Sequence, residues 1–139
     1  MARTRKLLLL LGIVVFVLPF WASPASAATL AVSPTTVPTG GQVTVSGDVL
    51  NNGQAGCTVP GPVTLISAAF TGLGEFAGTG ATTAQADASG SFSTTVTLDA
   101  SVGPGTYDIS ARCGGGNLGV TATLTVVTAA VTAPPSLAG

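Results

Sequence analysis

A chain of 139 residues with four basic side chains, five acidic ones and no histidine is closed to several kinds of chemistry. Neither a Ser-His-Asp nor a Cys-His arrangement can be assembled, and two cysteines without a histidine make a poor zinc site. Phosphate backbones are bound by several Lys or Arg side chains acting together, so nucleic acid and anionic membrane surfaces are poor partners for so few cations.

Three of those cations open the chain, in Met1-Ala2-Arg3-Thr4-Arg5-Lys6. An uncharged apolar run from Leu7 to Phe20 follows, then the small residues Ala22-Ser23-Pro24-Ala25-Ser26-Ala27-Ala28. Basic start, apolar middle and small-residue end are the parts of a secretory signal peptide, here residues 1–27. The apolar run falls short of the ~20 residues a membrane-spanning helix needs, and Pro19 interrupts it. Ala25-Ser26-Ala27 predicts cleavage before Ala28, with a cut after Ala28 as the alternative. The expectation is a secreted, extracellular protein that meets a membrane only through its transient signal peptide.

Beyond the leader the chain keeps Arg112 against Asp48, Glu75, Asp87, Asp99 and Asp108, a net charge of −4. About 112 residues suit one domain with a modest core. Apolar and polar residues alternate in short runs, the strand signature. Leu30 and Val32 lead to Pro34, Val37-Pro38-Thr39-Gly40-Gly41 reads as a turn, and Val43 and Val45 belong to a second strand ending near Leu50. Asn51-Asn52-Gly53 reads as a loop, and a third strand is expected from Val63 to Phe70. The glycine-rich stretch from Thr71 to Thr83 is the least regular; a short strand is placed near Thr82–Ala86, followed by a tight turn at Asp87-Ala88-Ser89-Gly90. Phe92, Val96 and Leu98 share one face of the next strand, Tyr107, Ile109, Ala111 and Cys113 one face of the sixth, and Val120, Ala122, Leu124 and Val126 one face of the last. The pattern predicts an all-β, antiparallel, seven-stranded β-sandwich over residues 28–128, and a flexible Ala/Thr/Pro tail over 129–139. An even cysteine count in an oxidising compartment predicts a Cys57–Cys113 disulfide.

Val32-Ser33-Pro34, Val37-Pro38-Thr39-Gly40 and Val43-Thr44-Val45-Ser46-Gly47 resemble the opening of bacterial immunoglobulin-like domains. Gly105-Thr106-Tyr107-Asp108-Ile109-Ser110-Ala111-Arg112-Cys113-Gly114 is similar to their sixth strand, especially in actinobacterial secreted proteins. The resemblance implies a seven-stranded sandwich without enzymatic activity, and specifies no ligand. The valine-rich start and Asp87-Ala88-Ser89-Gly90-Ser91-Phe92-Ser93 also resemble the neocarzinostatin-like fold, small acidic secreted carriers of an antibiotic chromophore. Those proteins usually carry two disulfides, and this chain can form only one.

The acids stand singly at strand ends and turns, where aspartate is ordinary turn chemistry; no catalytic residue, metal ligand or cofactor is expected. Leu73, Glu75 and Phe76 lie in a glycine-flanked segment suited to a binding loop. The competing reading, favoured from burial energetics, tucks Phe70 and Phe76 into the core. Arg112 is expected on an outward face, paired loosely with Asp108 or Glu75, and is the candidate contact for an anion. Tyr107 is expected to anchor its hydroxyl on nearby backbone. Two functions follow: a structural or interaction module facing a protein or cell-surface component, or a carrier of an apolar small molecule, the latter requiring an apolar cleft of about 300 Å³.

Overall fold

The computed structural model describes residues 28–49, 57–114 and 116–130. The expected leader, the Asn51-Asn52-Gly53 loop and the tail beyond Ala130 lie outside the described residues. Nine strands account for most of the rest: β1 (Thr29–Ser33), β2 (Thr36–Pro38), β3 (Gln42–Asp48), β4 (Gly61–Ile66), β5 (Glu75–Phe76), β6 (Thr79–Ala86), β7 (Ser91–Thr97), β8 (Gly105–Cys113) and β9 (Gly116–Val127). The expectation of an all-β fold holds.

Two strands were not legible in the alternation, and one ends early. Val37 and Pro38, expected to open a turn, are extended instead: Thr36-Val37-Pro38 pairs in parallel with Thr125-Val126-Val127, so the sheet is mixed rather than antiparallel throughout. A proline is tolerated there because β2 is the last strand of the ladder, where no partner needs its missing N–H. β5 arises within the glycine-rich stretch. The strand expected to reach Phe70 stops at Ile66, because the Ser67 hydroxyl accepts from Ala69 N at 3.2 Å and caps a single 3-10 turn over Ala68–Phe70.

Along the ladder the order is β1-β3-β7-β6-β4-β8-β9-β2, with β5 added to β6. Its weakest joint is between β6 and β7, whose pairing is confined to Ala86↔Phe92, whereas β3 and β7 pair from Gln42↔Thr97 to Asp48↔Ser91. Two halves result, β1-β3-β7 and β6-β4-β8-β9-β2. Val43, Val45, Phe92 and Val96 of the first pack into one buried cluster with Val63, Leu65, Ile109, Ala111, Leu124 and Val126 of the second. The period-2 alternation read from the sequence is what points these residues inward together. At Gly47 the two strands approach closely: an added Cβ would lie 2.8 Å from Phe92 Cζ and against the Thr29 carbonyl. The Phe92 ring therefore occupies the space that a side chain at Gly47 would take.

Three local devices fix the ends of the strands. Cys57 and Cys113 are joined by a disulfide with their Cα atoms 4.8 Å apart, tying the approach to β4 to the end of its neighbour β8. The Tyr107 hydroxyl donates to Gly103 O at 2.6 Å, pinning the turn before β8. Asp87 Oδ1 accepts from Ser89 Oγ at 2.6 Å, Ser89 N at 2.9 Å and Ser91 N at 3.1 Å. These donors favour the ionised form and hold the carboxyl below its ordinary range. Ser101 does the same for Asp99. Both acids thus serve the turns in which they sit.

Candidate functional site

Between the 3-10 turn and β6 the chain leaves the core and returns as a hairpin. β5 pairs with β6 through Phe76↔Thr79 and Glu75↔Gly80, leaving Ala77 and Gly78 as a two-residue turn. Both have positive φ, 51° and 83°, as a type I′ turn requires. Alanine is poorly suited to that region, where its Cβ crowds the following carbonyl. Ala77→Gly is therefore expected to raise stability by about 1 kcal/mol, read as a higher urea midpoint at an unchanged slope. A lower midpoint would mean that the turn is not held in this conformation.

The base of the hairpin is firmly seated. Ser67 N donates to Gly80 O at 2.9 Å, Leu73 N to Phe70 O at 3.1 Å, and Ala81 N to Gly74 O at 3.0 Å. Gly80 lies so close to the backbone of Phe70 and Thr71 that a Cβ there would overlap it. Below this base Phe70 is wholly buried, with 0% of its surface exposed, whereas Leu73 is 42% and Phe76 38% exposed. The two phenylalanines expected together in the core are thus divided. Phe70 anchors the segment, and Phe76 is displayed on it.

Arg112 departs from expectation as well. Neither Asp108 nor Glu75 pairs with it; its Cζ lies 5.1 Å from the centroid of the Phe76 ring. Asp108 is four residues away along the same strand, too far to reach, and its Oδ1 accepts from Thr123 Oγ1 at 3.3 Å. The Arg112 Nε is buried without a hydrogen-bond partner. Register explains its position: Arg112 of β8 lies opposite Thr64 of β4, and Thr64 lies opposite Thr83 of β6. The three form a row across the outer face, and the hairpin folds over one end of it.

Beside that row is an open groove of about 310 Å³, lined chiefly by Thr64, Leu73, Glu75, Phe76, Thr82 and Thr83. The sequence singled out Leu73, Glu75 and Phe76, and the fold brings them together. It gave no sign of the three threonines, which resemble every other threonine in the chain until the β4–β6 register places them here. Among the described residues no group of three His, Cys, Asp or Glu side chains is arranged to hold a metal ion. No helix among them is long and apolar enough to cross a membrane.

The chain matches no family model and no curated protein. Among solved structures it is similar to the alkylpurine DNA glycosylase AlkC of Pseudomonas fluorescens bound to DNA containing an abasic site analog, at 13% identity and a TM-score of 0.46. That likeness covers 72% of this chain, which spans only 30% of the glycosylase chain. It is also similar to the seventh ScaB type I cohesin of Pseudobacteroides cellulosolvens, at 14% identity and a TM-score of 0.40, covering 78% of this chain and 97% of the cohesin. Likenesses this distant carry no argument about what the chain binds.

Proposed function

We propose that the chain is a secreted, non-catalytic, immunoglobulin-like module at the bacterial cell exterior, and that it binds its partner through the hairpin bearing Leu73, Glu75 and Phe76. The strand order supports the architectural half of this reading. β1-β3-β7 facing β4-β8-β9 corresponds to the two sheets of an immunoglobulin sandwich. β6 then serves as the strand between the third and fifth that crosses from one sheet to the other, and the bonded hydroxyl of Tyr107 corresponds to the tyrosine corner. The disulfide departs from the antibody pattern, since it runs within one half rather than between the two.

The observation that carries the functional half is the exposure of Leu73 and Phe76 side by side on a seated hairpin. Large apolar side chains gain by burial, and rigid sandwiches present binding residues on such connections. The carrier reading needs an apolar cleft. A groove of the right size exists, but Glu75 and three threonines line it beside Leu73 and Phe76, which suits a polar or mixed partner better than a hydrocarbon one.

Two measurements test the proposal. Export of the full chain is expected to yield a protein in the medium whose intact mass corresponds to a start at Ala28 or Thr29 with the cysteines oxidised. Retention of residues 1–27 would overturn the secreted reading. The labelled exported protein is then expected to decorate intact cells of its source bacterium, and the Leu73→Ser/Phe76→Ser double variant to lose most of that signal at unchanged melting temperature. Undiminished decoration would remove the hairpin as the contact surface.

A further inference from the structure

The one cation beyond the leader, Arg112, is built into the outer face in an incomplete state. Its guanidinium lies against the Phe76 ring, its Nε is buried without a partner, and neither Asp108 nor Glu75 pairs with it. Buried polar groups are normally satisfied, and one left without a partner calls for an explanation. An arginine has five N–H donors in a planar fork shaped for a carboxylate. The chain has five acids with which to fill that fork. Glu75, adjacent to Phe76 and lining the groove, is not used for it.

We infer that Arg112 is reserved for a carboxylate carried by a partner protein, next to an apolar side chain that seats against Leu73 and Phe76. This deepens the binding-module reading and rests on it only in taking the hairpin as the contact surface. Three observations point to this chemistry. The guanidinium lies against the Phe76 ring with a charge that neither Asp108 nor Glu75 pairs, and such a charge favours an anionic ligand. The exposed Leu73 and Phe76 call for an apolar neighbour within the same ligand, which an aspartate or glutamate beside a hydrophobic residue supplies and a sugar acid does not. Glu75 lines the same groove and opposes any second negative charge, so a single carboxylate is preferred to a polyanion.

Since Arg112 is the sole arginine after Arg5, the processed protein gives a single arginine Nε–H cross-peak in a proton–nitrogen spectrum. Phenylacetate, which combines a carboxylate with an apolar ring, is the probe. It is expected to shift that cross-peak and the Thr64 and Thr83 amides along one saturable curve. Phenylacetamide, which lacks the charge, and glucuronate, which lacks the apolar group, are expected to bind at least about tenfold more weakly, since each forgoes one half of the recognition. Phe76→Ala and Arg112→Met should each abolish saturation at the Thr64 and Thr83 amides, while Glu75→Gln should tighten binding about two- to fivefold by removing a like charge.

Equal, unsaturable shifts with phenylacetate and phenylacetamide would overturn the inference. Glucuronate binding as well as phenylacetate would overturn the assignment to a protein partner. If the double variant loses cell decoration while phenylacetate shows no saturation, the module reading stands and the role given to Arg112 falls.

Discussion

Replacing Cys57 and Cys113 together by alanine is expected to lower the unfolding free energy by about 4 kcal/mol. The bridge closes a loop between positions 56 residues apart, and in the chain-entropy account its effect grows with the logarithm of that length. A small domain is stable by only about 5–15 kcal/mol in total, so the variant is expected to be partly unfolded at 37 °C. The loss should also be local in its consequences. Cys113 ends β8 and is buried, while Cys57 leads towards β4 from residues outside those described. Without the bridge, β4 loses the covalent tie that holds its start beside β8. Urea denaturation of the oxidised protein, the reduced protein and the double variant checks this. The last two should coincide, with midpoints well below the first. A difference under about 1 kcal/mol would overturn the chain-entropy account of this bridge.

Phe70→Ala is expected to cost about 3–5 kcal/mol, the range for removing a fully buried aromatic ring. Phe70 belongs to the buried core cluster, and the 3-10 turn that carries it packs on β6 and β8. Its carbonyl accepts from Leu73 N, and its amide donates to Ser67 O at 2.9 Å, so the ring and the base of the hairpin form one unit. The variant should therefore do more than lower the melting temperature. Under conditions where it is still folded, the Arg112 Nε–H resonance is expected to move, because Phe76 loses the anchor that holds it over the guanidinium. Phe76→Ala provides the contrast. It should move the same resonance while costing little stability, since its ring is already substantially exposed. Equal stability losses from the two variants would refute the division of labour between the two rings.

Most of the framework was readable from alternation. Phe92 and Val96 on β7, Ile109, Ala111 and Cys113 on β8, and Ala122, Leu124 and Val126 on β9 are buried where a period of two places them. The failures have physical causes. Thr36-Val37-Pro38 is too short to show a period, and its pairing with β9 is a tertiary choice invisible to local pattern. The strand toward Phe70 ended early because Ser67 offered the backbone a competing hydrogen bond. Burial energetics alone could not distinguish Phe70 from Phe76, because the backbone route decides which of them faces inward. An outward face predicts a loose acid partner for Arg112, but Thr64 on the adjacent strand and a ring arriving from the hairpin are its neighbours instead. The candidate site was legible in its hairpin half and illegible in its threonine half, since cross-strand register assembles the latter.

The parallel pairing of β2 with β9 has a mechanical consequence for a chain held at both ends. A load between the start of β1 and the end of β9 draws β2 toward its own beginning and β9 toward its own end. Strands running the same way and dragged in opposite senses must slide past one another, so the pairings Thr36↔Thr125, Val37↔Val126 and Pro38↔Val127 bear the tension side by side instead of parting one after another. Stretching thus meets its resistance in a short patch at the end of the ladder.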